Sequence, residues 1–572
     1  MDRRTLTREL RALGRLLELD GASAFQTRAI LEAASRLDDS PDDPVHTFLA
    51  GQLQQMPGIG KSLLADIGQL VRHGHHDTLE ALRRRWPGQP LRLLDVPGLG
   101  PAKVRSLFRD LGIHDLAGLD DGLRRGTVTE LKGFGQKTAA KLIPHVTYMR
   151  ETEGMVLLPD ADALAADARE ALARLPGVVA VHVAGSVARR DDMHARLDLV
   201  VVHRDEQPPA AALAALGFAP TGESWTRPTP EGPDVRVHPA RPESAGAKRV
   251  RCGANPAHLR ALEAPMALAG LSWKNDLLVG QDGSPVPTPD EEAVYAALGL
   301  PWIPPELREG TDEIELARSG SLPQLVTMAD IQGVFHTHTT ASDGRADLAG
   351  MAAEARRLGF GYLAVTEHSH AAGYAGGLSS ERLRAQHVAV ADWNAAAGTP
   401  YLLSGLEADI LADGTLDMGE ALDGCDLVIA SVHSRHGEDE GAMTRRIVRA
   451  LEDPRTTVLG HMSGRLLGER APYPMDHARI HETAARHGVH IEINGNPQRL
   501  DIDWRQIRAA RATGVTFCLS PDAHSIPGIG HVRYALDMAR KGGLKAADIL
   551  NSKPLDALRE FLADRNSRTA GT

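Results

Sequence analysis

Phe335-His336-Thr337-His338-Thr339-Thr340-Ala341-Ser342-Asp343-Gly344 opens the C-terminal region of the chain. Its start reads as the end of a strand over 332–336. Residues two apart on a strand face the same way, so the imidazoles of His336 and His338 are expected to converge, with Asp343 in the following loop. That is part of a metal site, and the rest of the chain has to supply the remaining ligands.

Downstream, strand-like apolar runs at 332–336, 361–366, 401–406, 426–432, 456–460, 489–494 and 515–520 each lead into a helical stripe. Seven such alternations argue for parallel strands joined by right-handed crossovers and closed into a barrel. Active residues of such barrels project from the C-terminal ends of the strands. That rule selects His336 and His338, then His368, Glu407, His433, His461, and finally Asp522 with His524. With Asp343 these make nine candidate ligands on one rim. The chain has 25 histidines, so several must be ordinary core or surface residues, and His370, His436, His477, His481, His487 and His490 are placed in that class. Mixed imidazole and carboxylate donors suit Mn²⁺, Zn²⁺ or Fe²⁺ without choosing among them. Close-set cations of this kind favour phosphoester hydrolysis. Arg465 and Arg499 lie on rim loops, where bidentate guanidinium contacts would hold phosphate oxygens; Arg435 is a weaker third.

The nine residues resemble the ligand set of the polymerase-and-histidinol-phosphatase (PHP) domain, with none missing. The resemblance implies three divalent ions, Mn²⁺ foremost. His336, His338, Glu407 and Asp522 would hold one, Glu407 would bridge to a second with His433 and His461, and Asp343, His368 and His524 would hold the third. Glu407 and Asp522 are thereby the carboxylates nearest the chemistry.

Upstream the pattern changes. Met56-Pro57-Gly58-Ile59-Gly60-Lys61, Val96-Pro97-Gly98-Leu99-Gly100-Pro101-Ala102-Lys103 and Leu131-Lys132-Gly133-Phe134-Gly135-Gln136-Lys137 repeat one device. Two glycines flank an apolar residue ahead of a helix, so the backbone amides can approach a phosphate while the apolar residue pins the turn. This resembles the helix-hairpin-helix motif of DNA-repair proteins. Gly58, Gly60, Lys61, Gly98, Gly100, Lys103, Gly133, Gly135 and Lys137 become the candidate DNA contacts. Such turns grip the backbone, so binding is expected to be independent of sequence. Residues 51–150 hold 15 Lys and Arg against 9 Asp and Glu, although the whole chain carries a formal charge of −11.

Between these halves, strand-like Val178–Ala184 ends in Gly185-Ser186, followed by strands over Leu197–Val202 and Asp234–Val237. This resembles the palm of family X DNA polymerases, in which three carboxylates hold two metal ions. Gly185, Ser186 and Arg189 match nucleotide-binding positions there, and Asp198 and Asp234 match two of the carboxylates, for Mg²⁺ or Mn²⁺ and dNTP. The match fails where Arg196 stands in place of the first acid of Asp-x-Asp and Ala188 in place of the first of two arginines. An Arg for Asp exchange works against cation binding, so an impaired palm is expected. Relatives with deoxyribose-phosphate lyase activity carry a Schiff-base lysine after the first hairpin, whereas this chain has Asp66, and a carboxylate forms no imine.

The expected organisation is therefore multidomain: an all-α helix-hairpin-helix region, an α+β polymerase-beta-like palm and thumb, and a C-terminal α/β distorted (βα)7 PHP barrel. Its boundaries are a helical 8-kDa-like domain at 1–80, fingers-like helices at 81–150, a palm at 151–240, a thumb at 241–305, a linker at 306–330 and the barrel at 331–572. The proline-rich passage at 286–310 suggests the main boundary. The 572 residues are 42% hydrophobic and 24% charged, as suits a soluble globular protein, with no membrane span or signal peptide read in them. Three scattered cysteines suggest neither disulfides nor a thiolate metal site. As a whole the chain resembles bacterial and archaeal family X polymerases with an appended nuclease. It is expected to be a cytoplasmic, nucleoid-associated monomer acting on gapped, nicked or 3′-recessed DNA. The resemblance implies 3′→5′ exonuclease action with abasic-site incision or 3′-end processing. The alternatives are an active gap-filling polymerase and exonuclease, a histidinol-phosphate-type phosphatase, and a silent DNA-binding scaffold.

Overall fold

The computed structural model describes every residue except 39, 41, 205–208, 230–231, 397 and 570–572, and the side chains of 567–569. The chain divides into two compact units: residues 1–153 with 468–471, and 154–467 with 472–572.

The first unit is helical. Helices α1 (Arg3–Asp20) and α2 (Ala24–Asp38) pack their leucine stripes together, with Leu10, Leu13 and Leu37 buried. Three further helices follow the glycine turns: α3 (Lys61–His73), α4 (Pro101–Leu111) and α5 (Gln136–Glu151). One apolar core runs from Leu6 to Met149, so the regions expected at 1–80 and 81–150 share a single interior.

The second unit begins with a five-stranded palm sheet. Its strands are β1 (Val178–Ala184), β2 (Arg196–His203), β3 (Ala219–Thr221), β4 (Ser224–Arg227) and β5 (Asp234–Ala240), in the order β1-β2-β5-β4-β3. Strands β2 and β5 pair in parallel, and the other described neighbours pair antiparallel. Helix α6 (Leu158–Ala173) covers the sheet through Ala161, Ala168 and Leu172.

The segment expected as a linker, 306–330, belongs largely to the thumb core. Arg308 is fully buried and forks onto Glu291 at 2.8 and 2.9 Å; Glu313 accepts from Gly310 N and Thr311 N; Ala317 and Leu325 join the apolar cluster. The prolines here interrupt regular structure without freeing the chain, because a buried bidentate ion pair holds Arg308 beyond them.

The barrel has seven strands in sequence order, all parallel: β6 (Gly333–Thr337), β7 (Tyr362–His368), β8 (Tyr401–Asp409), β9 (Leu427–Ser431), β10 (Val458–Leu459), β11 (His490–Asn494) and β12 (Phe517–Ser520). A bridge from Thr337 to Ala523 brings the first strand against the last, with His338 N donating to Ala523 O at 2.9 Å. Phe335, Tyr362, Leu403, Ile429, Val458 and Cys518 fill the interior at the N-terminal ends of the strands. Leu558 and Leu562 of the last helix pack beneath them. Alternation carries each strand from this apolar floor to a polar rim: Tyr362, Ala364, Thr366, His368 on one, and Leu403, Gly405, Glu407, Asp409 on the next.

Candidate metal centre

Phe335 belongs to the apolar floor, so unbroken alternation would aim His336 out of the barrel. The strand is irregular here: its register shifts between Val334 and Thr337, and His336 adopts φ +56°. The ring turns inward as a result, and its centroid stands 5.2 Å from that of His338. His461 (φ +21°) and Asp522 (φ +51°) are likewise in the left-handed region. Each such residue costs about 1–3 kcal/mol, which persists only where the surroundings impose it, and such strain gathers at functional sites.

The nine candidate ligands read from the sequence come together. Glu407 lies within β8, two residues before its end, and its carboxylate is the hub. It stands 2.9 Å from His461 Nε2, 3.1 Å from His433 Nε2, 2.9 Å from His368 Nδ1, 3.3 Å from His336 Nε2 and 3.7 Å from His338 Nε2. Asp343 faces His368 at 3.5 Å and His524 at 3.4 Å, and Asp522 faces His336 and His338 at 3.6 Å each. Four groups have all their donor atoms within 4.8 Å of one another: His338-Asp343-His368-His524, His336-His338-Glu407, His336-His461-Asp522 and His368-Glu407-His433. His338 thus lies with the Asp343 corner as well as with His336.

The donor set fits divalent cations. Among the described residues, His336 Nε2, both nitrogens of His338 and Glu407 Oε2 are buried without a hydrogen-bond partner. Each such atom costs about 1–3 kcal/mol unless something takes its lone pair. The charges agree. Burial alone would raise Glu407, but His433, His336 and His368 hold it well below the usual carboxylate range. Burial alone would depress His368 and His433, but Glu407 and their other carboxylate partners raise them to about 10 and about 9. Burial, with His524 and His368 beside it, lowers His338 to about 3 and keeps it a neutral donor.

Carboxylates that sequence reasoning missed hold this set in place. Glu492 accepts from His336 Nδ1 at 2.5 Å and His461 N at 2.6 Å, and Asp409 lies 2.6 Å from His433 Nδ1. Glu367 accepts from Thr339 N and Oγ1 at 2.9 and 2.6 Å, fixing the loop that leads to Asp343. A carboxylate behind a histidine sets its tautomer and increases its basicity toward a metal. Asp409 was within reach of sequence reading, two residues beyond Glu407 on one strand face.

The two rim arginines part company. Arg499 Nε lies 3.3 Å from Asp522 and faces the cluster. Arg465 is nearly buried, pairs with Asp192 of the palm at 3.0 Å and donates to the carbonyl oxygens of Arg499 and Leu500. It braces the loop that bears Arg499. Arg435 pairs with Glu438 at 2.6 Å.

In the palm, Asp198 is buried between Arg196, at 2.9 Å, and His238 Nε2, at 2.8 Å, while Asp234 is exposed beside Arg196 in the parallel register. Gly185 (φ +64°) lies so close that a Cβ would meet Asp198 Oδ2 at 2.7 Å. Ser186 Oγ stands 2.8 Å from His194, and Arg189 is engaged by Glu309, Asp191 and Gly253 O. Gly185, Ser186, Arg189, Arg196, Asp198 and His238 line a cavity of about 580 Å³. In the helical unit the three turns are alike: Gly58, Gly98 and Gly133 have φ +87°, +88° and +91°, and Gly60, Gly100 and Gly135 cap the following helices. Ile59, Leu99 and Phe134 are buried. Lys61 and Lys137 are exposed, whereas Lys103 Nζ donates to Gly98 O at 2.8 Å and lies over the Phe134 ring. Asp66 lies 3.1 Å from His76 Nε2.

Comparison with known proteins agrees with this architecture. The tandem helix-hairpin-helix family matches residues 91–145, and the DNA polymerase beta thumb family matches 254–309. The DNA polymerase/3′-5′ exonuclease PolX of Bacillus subtilis is 28% identical over 98% of this chain and 99% of its own length. Along nearly its whole length the chain thus resembles family X polymerases that carry a PHP domain. Two smaller relatives, a probable phosphatase of Caldanaerobacter subterraneus (28% identical; 30% of this chain, 68% of that protein) and the probable phosphatase YcdX of Escherichia fergusonii (25%; 40% and 94%), match part of the chain. No helix among the described residues is long and apolar enough to cross a membrane.

Proposed function

We propose that the protein is a cytoplasmic DNA-repair nuclease whose barrel hydrolyses phosphodiesters at 3′ ends, with a palm impaired for nucleotidyl transfer. The convergence of nine histidine and carboxylate side chains in one cluster centred on Glu407, in a chain that also carries three matching glycine turns, is the observation that supports this reading. Divalent ions held there, Mn²⁺ foremost, would supply Lewis-acid polarisation of the phosphoryl group and a water of lowered pKa. The histidines and carboxylates would hold three such ions, Arg499 would orient a phosphate oxygen, and the hairpin turns would hold gapped, nicked or 3′-recessed DNA by its backbone. Abasic-site incision and 3′-end processing belong to the same chemistry.

The impaired palm is supported by Arg196 and His238, which together occupy the carboxylate that a catalytic cation would need. The name of the Bacillus relative favours a second reading, a bifunctional gap-filling polymerase and exonuclease; the smaller relatives suit a small-molecule phosphatase, but the hairpins do not.

A labelled, 3′-recessed primer–template with Mn²⁺, with and without nucleotides, separates these. Shortening that is lost in His338→Ala and kept in Asp198→Ala is the expected result. Primer extension lost in Asp198→Ala would overturn the impaired palm. Hydrolysis of histidinol phosphate with no shortening of any DNA would overturn the nuclease.

A further inference from the structure

Tyr374 is 76% exposed, yet its ring stands 6.3 Å from that of His368 at the edge of the metal centre. Isolated exposed aromatics are common and by themselves mean little. This one is presented by a segment built to hold it still. Ala372 and Ala375 on either side are buried, so the backbone is pinned on both sides of the exposed phenol ring. The loop is tied at both ends to the strand that delivers His368: Ala372 N donates to Ser369 O at 3.0 Å and Leu378 N to His368 O at 2.8 Å. Gly377 lets the chain pass so near that a Cβ would lie 1.9 Å from Ser369 O. Arg382 of the next helix donates to Gly376 O at 2.9 Å and to Ala341 O, joining this loop to the one that carries Asp343.

A rigid aromatic face beside a phosphodiester-cleaving centre matches the needs of a nucleic-acid end. A nucleotide whose phosphate reaches the cluster extends its base away from it, and every base has a π face that an aromatic ring can stack on without reading sequence. We propose that Tyr374 is a positioning residue that stacks on the base of the 3′-terminal nucleotide and so presents the scissile phosphate to the Glu407 cluster. The inference rests on the nuclease reading above and adds to it a preference for termini that carry a base.

The full-length Mn²⁺-loaded protein is assayed on two single-stranded oligonucleotides, one ending in a normal nucleotide and one in a tetrahydrofuran abasic residue. Tyr374→Ala is expected to raise KM about tenfold on the first, within the range that base–aromatic stacking gives. It leaves KM unchanged on the second, and Tyr374→Phe restores the wild-type value. Equal bound Mn²⁺ in the three proteins excludes damage to the cluster. A 2-aminopurine terminus, quenched by stacking, is brighter on Tyr374→Ala than on Tyr374→Phe. Wild-type cleavage of both substrates with the same KM in Tyr374→Ala overturns the inference alone. Absence of cleavage by the wild type overturns the nuclease reading and this one with it.

Discussion

Glu492 and Asp409 each hold a histidine of the centre by the nitrogen turned away from it, leaving Nε2 of His336 and of His433 to face the hub carboxylate. Glu492 also receives the backbone amide of His461, so one buried carboxylate orients ligands from two strands. Replacing it with Gln removes the charge and one acceptor at nearly constant volume. Glu492→Gln is expected to weaken Mn²⁺ binding about 10- to 100-fold, read from the free-Mn²⁺ electron paramagnetic resonance signal during titration of the metal-free protein. An unchanged isotherm would mean that Glu492 only fills space. The convergence of the nine candidate ligands was readable because imidazoles and acids recur where strands end. Glu492 was not, because a strand glutamate looks the same in sequence whether it meets water or a ligand's second nitrogen. Nor was the conformation of His336: alternation put its ring beside that of His338 for the wrong reason, since only a left-handed residue at the irregularity aims it inward.

The hairpin turns show what an element-sized pattern can and cannot convey. Their spacing gave the turn, the buried apolar residue and the helix after it, and the seven barrel strands were equally legible from alternation and punctuation. Residues 306–330 were not: proline marks where helices end, but says nothing of an Arg308–Glu291 pair that closes a core around the chain after them. Lys103 is a further case, since its motif position matches that of the other lysines while its ammonium is engaged by Gly98 O and the Phe134 ring. Lys137→Ala is therefore expected to lower the slope of log affinity against log salt by about one unit on gapped DNA, with little change in stability. Gly133→Ala puts a methyl into open space at φ +91° and so adds strain without a clash, at a cost of about 1 kcal/mol. Fluorescence anisotropy across a salt series and urea unfolding separate the two effects. A Lys137→Ala slope equal to that of the wild type would remove this turn from the DNA interface.

Palm, thumb and barrel are joined by buried charge. Lys541, at the end of barrel helix Val532–Lys541, is inaccessible to water; it lies 2.8 Å from Asp191 of the palm, pairs with Glu309 at the thumb's end and donates to Arg189 O at 3.0 Å. Beside it, Arg190 bridges Asp162 and Asp537 at 2.6 Å each, and Arg465 reaches Asp192. The palm loop 189–192, which begins with a residue expected to touch a nucleotide, is thus fastened to the barrel. Burial alone would raise Asp191, but Lys541 and Arg189 hold its carboxyl below the ordinary range. Its contribution to stability is accordingly complete above its unfolded pKa of about 3.9 and is lost as pH falls through the lower folded value. Lys541→Met keeps the length and packing of the side chain but leaves Asp191 and Glu309 with Arg189 as the one cation between them, so that one carboxylate charge is unmatched, which costs about 1–3 kcal/mol. Urea unfolding at pH 7 is expected to begin at markedly lower concentration, and Lys541→Met with Asp191→Asn should recover part of the loss, since the stranded charge is gone. Equal midpoints for wild type and Lys541→Met would mean that the three parts hold together by their apolar contacts, and that the network of acids and bases between them only fills the seam.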